Sequence, residues 1–221
     1  MGKIMQTKWI LLCIIAAVAV ILIIVPLVAP GVTPAGIVMG SEASLGDGFM
    51  LVNQSEIALS FYDTALASDP DNTGLLKKKA EALLRSGKTG ESEQIYRDLL
   101  SRTPSDPDVL VRMGDFAFRS GDYPGAAGYY DTAIALQPKN AQILLREGDA
   151  YLSLAVTQYH EQHAVFLDSL DSYRKAMAVY AQAEKLDPRL SAVVSARTLA
   201  ADQFQASGDE QGMLASLGAS G

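Results

Sequence analysis

The sequence predicts an all-α protein: one N-terminal transmembrane helix, then about four stacked helical hairpins closed by a C-terminal capping helix. Three observations carry this expectation. Residues 9 to 41 hold no charged side chain. Pro70, Pro104 and Pro138 are evenly spaced, and Tyr62, Tyr96 and Tyr130 keep the same step. Both ladders gain a further rung after one longer step, at Tyr180 and Pro188, so sequence is inserted there without loss of register. The shared period of about 34 marks an array of helical hairpins.

Taken in order, residues 1–8 are a short N-terminal segment and residues 9–28 the transmembrane helix. Trp9 to Val25 is unbroken apolar sequence, continued past Pro26 by Leu27 and Val28. Twenty residues at about 1.5 Å each span roughly 30 Å, the hydrocarbon thickness of a bilayer. Lys8 and Trp9 suit the membrane interface. Lys3 and Lys8 precede the span and the next cation is Lys77. The positive-inside rule therefore places the N-terminus in the cytoplasm and the rest outside it, as a single-pass protein of the cell membrane. The alternative is a cleaved signal peptide and a secreted product, with small-residue sites near Ala29 and Ala35. An apolar core of about 7–15 residues would be usual there, shorter than this one. Cys13 is the sole cysteine, which excludes a disulfide within the chain. Residues 29–40, rich in Pro and Gly, read as a linker.

Charge narrows the function classes. From residue 42 onward there are 16 basic and 25 acidic side chains, a net of −9. Nucleic-acid binding needs a basic footprint and is not expected. No nucleophile–base set, phosphate loop or metal cluster is evident, so neither an enzyme nor a cofactor is expected. His160-Glu161-Gln162-His163 has one residue between Glu and the second His, where the zinc-protease signature needs two. It reads as a polar hairpin tip.

The repeating blocks are 39–72, 73–106, 107–140 and 141–190. In the third, Val109 to Arg119 is the first helix, Ser120-Gly121-Asp122 the turn, and Tyr123 to Leu136 the second helix, entered through Pro124. The second block uses Ser86-Gly87-Lys88 as its turn. The first has Asn53 where a turn glycine would stand.

Gly114, Ala126, Tyr130, Ala133 and Pro138 of the third block, with Leu110 and Ala117, resemble the tetratricopeptide repeat family. The fourth block supplies Gly148, Tyr151, Ala176, Tyr180, Ala183 and Pro188. The second has Ala80, Tyr96 and Pro104, and the first Gly46, Ala58, Tyr62 and Pro70. The resemblance implies a right-handed superhelix in which these residues pack the repeats together. Small residues belong where helices cross at about 8–10 Å.

The fourth block carries the insertion, at about 152–175. A hairpin with both helices lengthened keeps Tyr180 and Ala183 in register, with the turn near Tyr159–Ala164; the alternative is a single continuous helix, which would strand Tyr180 and Ala183 away from their packing partners. Residues 190–218 read as the C-terminal cap, led by a helix from Leu190 to Ser207.

The resemblance also implies that first helices line a groove for a peptide or protein partner. Asp47, Glu81, Asp115 and Asp149 would form an acidic column there. Lys78, Arg112 and Arg146 stand three residues before the last three acids, spaced to pair along the helix. Arg85 and Arg119 lie one turn beyond the acids, and Met50, Leu84, Phe118 and Leu152 add an apolar stripe. One reading is a solvated face of local ion pairs, the other an amphipathic peptide groove. Family branches that grip a C-terminal carboxylate use asparagine where this chain has acids, which argues against that ligand. The functional expectation is a membrane-tethered interaction scaffold. The alternative is a self-associating structural component, a homo-oligomer of the cell surface or envelope.

Overall fold

The structure is a computed structural model and describes residues 34–161 and 166–207. The described residues form α-helices and one 3-10 turn, with no strand among them. The helices are α1 (Pro34–Leu51), α2 (Ser55–Ser68), α3 (Thr73–Arg85), α4 (Thr89–Arg102), α5 (Pro107–Arg119), α6 (Tyr123–Leu136), α7 (Ala141–Glu161), α8 (Phe166–Leu186) and α9 (Ser191–Ser207), with the 3-10 turn at Pro188–Leu190. They divide into two units, the boundary falling within α4 between Ile95 and Tyr96.

Each element starts and stops for a local reason. Asn72 and Asp106 cap α3 and α5 through their side chains, accepting from Leu75 N at 3.0 Å and Val109 N at 3.3 Å. Asn140 does the same at α7, accepting from Ile143 N at 3.4 Å. These caps recur once per repeat and satisfy helix-end N–H groups that would otherwise lack partners. Gly87 and Gly121 end α3 and α5 with φ of 80° and 83°, and Asn53 takes the same left-handed conformation at φ 58°. Asparagine tolerates that region better than most residues.

Unit 1 packs α1 against α2 and α2 against α3. Ala58, Tyr62, Ala65, Leu75 and Leu83 are buried at its centre, and the Phe49 and Phe61 rings stack at 5.4 Å. Ser92, fully buried, donates to Ala80 O at 2.8 Å. The buried hydroxyl is thus satisfied within the hairpin.

Unit 2 packs α5 against α6, α6 against α7 and α7 against α8, with α9 on the last hairpin. One cluster centres on Leu110, Ala126, Tyr130 and Ala133, another on Leu152, Val156, Ala176, Tyr180 and Ala183. Tyr96 packs tilted on Phe116 at 5.9 Å. Helices α7 and α8 are 21 residues each, against 13 for α5 and 14 for α6. The connection between them lies between Glu161 and Phe166. Ser172 Oγ donates to Gln158 Oε1 at 2.8 Å, tying the two lengthened helices together above the shared core.

Two expectations change. Helix α1 begins at Pro34, inside the 29–40 segment read as linker. Proline fits a first helical turn, where its missing N–H is not needed, so the same residue that suggested a linker starts the helix. Pro70, Pro104, Pro138 and Pro188, grouped above with the packing residues, are exposed at the links between hairpins. They fix φ and end helices rather than fill the core. The segment 9–28, His163 and residues 208–218 of the cap lie outside the described residues, while His160 falls at the C-terminal end of α7. Among the described residues, no helix is long and apolar enough to cross a membrane.

Candidate protein-binding face

Within each unit, the acids of the expected column are positioned from the backbone outward. Gly46, Gly114 and Gly148 each precede an acid of the column and are buried. A Cβ at these positions would lie 2.6, 2.5 and 2.5 Å from the rings of Tyr62, Tyr130 and Tyr180. The missing side chain lets each tyrosine of a second helix lie flat on its first helix. Its hydroxyl then reaches the neighbouring carboxylate. Tyr62 Oη donates to Asp47 at 2.8 Å, Tyr130 Oη to Asp115 at 2.9 Å and Tyr180 Oη to Asp149 at 2.6 Å. Gly114→Ala is expected to cost about 1–2 kcal/mol in urea unfolding. Overpacking of about 1–3 kcal/mol outweighs the helix-propensity gain of up to about 1 kcal/mol.

The second partner of each acid comes from the following helical layer. Lys78 of α3 donates to Asp47 at 2.6 Å. Arg146 of α7 bonds Asp115. Arg197 of α9 donates to Asp149 through Nε at 3.0 Å. The expectation that Lys78, Arg112 and Arg146 pair along their own helices is therefore corrected for Lys78, whose bond runs back to Asp47. Arg146 likewise bonds the preceding layer's Asp115. Arg112 does reach Asp115 on its own helix, at 3.4 Å. Glu81 pairs with Arg85 one turn on, at 3.7 Å, and Arg85 also donates to Met50 O at 3.2 Å. The cross-layer bonds win because a tyrosine already fixes each carboxylate, so a cation arriving from the next layer meets an oriented acceptor.

Electrostatics grade along the chain. Burial pushes the Asp47 carboxyl up, but hydrogen bonds from Lys78 and Tyr62 outweigh it and hold its pKa below the ordinary value. At Asp149 burial dominates and the pKa is raised, despite Arg197 and Tyr180. Burial, together with the adjoining acid, raises the pKa of Tyr62, Tyr130 and Tyr180, so these hydroxyls remain donors.

The apolar stripe is largely absorbed by the core. Leu152 is 1% exposed. Phe118 packs against both unit 2 clusters and lies edge-on to Tyr123 at 5.3 Å, and Met50 packs on the unit 1 cluster. Leu84 is half-buried and Arg119 is exposed at the end of α5. What remains accessible is polar: half-exposed Lys78, Arg85, Arg112 and Arg146, each oriented by an acid or a carbonyl. The arrangement offers pre-positioned N–H donors rather than an apolar trough.

A feature missed in sequence lies on the opposite side of α7. Glu147 is 5% exposed. Burial and a hydrogen bond with Asp131 of α6 push its pKa up to about 8. Tyr151, half-buried, donates to Asp131 at 3.4 Å. Lys175 sits 5.7 Å above the Tyr151 ring and pairs with Asp171 at 3.0 Å. The helical face alone does not betray a buried glutamic acid; the signal is its place opposite Asp131 once the layers are stacked. Among the described residues, no group of three or more metal-ligating side chains occurs.

Comparison with known proteins agrees with this geometry. Tetratricopeptide repeat family models match residues 56–110 and 111–155. The crystal structure of MamA superposes with a TM-score of 0.56 at 16% identity, covering 79% of this chain and 91% of that one. A MamA RS-1 ArsTM double mutant gives 0.59 at 15%, covering 82% and 92%, and MamA MSR-1 gives 0.55 at 15%, covering 82% and 93%. No curated protein sequence matches the chain. These likenesses show the fold, an all-helical repeat solenoid, and not a ligand. Residues 56–155 carry tetratricopeptide repeats, and the matches support placing the chain in a tetratricopeptide-repeat family.

Proposed function

We propose that this chain is a membrane-tethered interaction scaffold, with its repeats on the extracytoplasmic side holding a protein or peptide partner. The observation that supports it recurs within each unit: a half-exposed cation on a first helix is held by an acid that is itself held by a tyrosine, Lys78 on Asp47 with Tyr62 in unit 1, and Arg146 on Asp115 with Tyr130 in unit 2. Pre-oriented donors lose little entropy on binding, so a partner's carbonyls and carboxylates gain more from each contact. The uncharged run at 9–28, preceded by Lys3 and Lys8, supports the tether and its direction. No catalytic role is assigned to any residue.

Arg119→Glu tests the face without touching the fold. The side chain is exposed, so stability should stay within about 0.5 kcal/mol. A photo-crosslinking residue placed at Arg119 should capture a defined protein in intact cells, and one placed at Lys139, in the link after α6, should not. Equal capture at both positions would remove the basis for this face. Protease added outside intact cells should digest the repeats; protection of the repeats would reverse the topology.

A further inference from the structure

We propose that the outer face of α1 is a homodimer interface, on which two copies pack α1 against α1 across a two-fold axis. Ser44, Leu45, Gly48, Leu51 and Val52 are exposed along α1 and its end, and none is charged. Leu45, Leu51 and Val52 are 51%, 88% and 63% exposed, an unusual concentration of bare aliphatic surface on one helix. Their spacing repeats every three or four residues, so they share one stripe. A side chain added at Gly48 meets nothing within 4 Å, so a neighbouring backbone can approach closely there.

Charge selects the occupant. Residues 34–72 contain no lysine or arginine; of their six acids, Asp47, Glu56 and Asp63 are paired with Lys78, Lys88 and Lys79, Asp69 accepts from Asn72, and the acids of α1, Glu42 and Asp47, are not among the stripe residues. A strongly basic or acidic partner would find no counter-charge along the stripe. A second copy presents the same neutral surface and meets no repulsion.

Area sets the condition. An 18-residue helix is about 27 Å long, and a contact of one such helix with its mate falls short of the roughly 1,200 Å² of a stable soluble complex. The dimer therefore depends on confinement, and in this respect it rests on the membrane reading above. Only residues 29–33 separate the apolar run from α1, a reach of at most about 20 Å. Copies in one membrane would hold their α1 helices at one height, and the effective concentration rises accordingly.

The test uses the full chain with Cys13→Ser, in membranes, carrying Leu45→Cys or Gly48→Cys. Mild oxidation should give a disulfide-linked dimer at both positions, at least fivefold above Leu199→Cys, an exposed site on α9. Adding Leu51→Glu to the Gly48→Cys chain should cut the dimer at least fivefold. Carbonate extraction is run in parallel. A membrane-retained protein that cross-links at neither position, or equally at Leu199→Cys, overturns the interface and leaves the tether standing. Release by carbonate overturns the tether and with it the confinement that the dimer needs.

Discussion

Tyr180→Ala is expected to destabilise the α7–α8 hairpin by about 3–5 kcal/mol, a large share of the roughly 5–15 kcal/mol ordinary for a folded domain. The ring is fully buried and lies on Gly148, in contact where a Cβ would stand. Its removal empties the place where α7 and α8 cross, and neither backbone can collapse into it without moving the shared core of Leu152, Val156 and Ala183. Tyr180→Phe isolates the hydroxyl. It keeps the ring and removes only the 2.6 Å bond to Asp149, a loss of about 1–3 kcal/mol because that carboxylate is buried. A double-mutant cycle with Asp149→Asn measured by urea unfolding separates the two parts. Coupling near zero between Tyr180→Phe and Asp149→Asn would show that the tyrosine acts through packing alone.

The same tyrosine explains what could and could not be read from sequence. The ladder of Tyr62, Tyr130 and Tyr180 was legible because a buried aromatic must recur wherever the same crossing recurs. The glycines were legible for the matching reason. The direction of the ion pairs was not. Lys78 stands three residues before Glu81, a spacing that favours pairing on one helix. Asp47 belongs to the preceding repeat, at a distance along the chain that means nothing until the layers are stacked. The deciding information was nevertheless present: Tyr62 is 15 residues beyond Asp47 and Tyr130 is 15 beyond Asp115, a coincidence that fixes each acid before any cation arrives.

Asn72, Asp106 and Asn140 form a second ladder. Their even step, one repeat each, marks three helix caps beside the prolines of the links. The boundary at Pro34 was illegible for a different reason. Proline begins helices as readily as it interrupts chain, and the Thr33-Pro34 pair, which suits an N-cap and first helical position, stands in Pro- and Gly-rich sequence that reads as linker. The apolar stripe of the binding face failed on register. Phe118 and Leu152 lie close enough to the hairpin interior to be taken into the core, which leaves the face polar. The expectation of membrane attachment rests on the uncharged run at 9–28, outside the described residues.

Glu147→Gln is expected to stabilise the protein at alkaline pH and to change little in acid. The Glu147 carboxyl is buried beside Asp131, and both burial and the neighbouring acid favour its protonated form. Its pKa is thereby raised from an ordinary 4.5 to about 8. A carboxyl raised on folding stabilises the fold through its bound proton. That contribution is whole below about pH 4.5 and is lost as pH rises through about 8, where folding must bury a second negative charge. Glutamine is the neutral isostere and keeps a hydrogen bond to Asp131 at every pH. The variant should exceed the parent by about 2–4 kcal/mol at pH 9 and match it within about 0.5 kcal/mol at pH 4.5. Titrating groups that do not touch Glu147, Asp47 among them, shift both proteins alike and cancel in the difference. Tyr151, which shares Asp131, makes the control: Tyr151→Phe removes a 3.4 Å hydrogen bond and should shift stability without the steep alkaline loss being abolished. A Glu147→Gln effect of equal size at pH 4.5 and pH 9 would mean that the glutamate is ionised within the fold. The contact between α6 and α7 would then be held by packing around Tyr130 and Ala133 rather than by a shared proton.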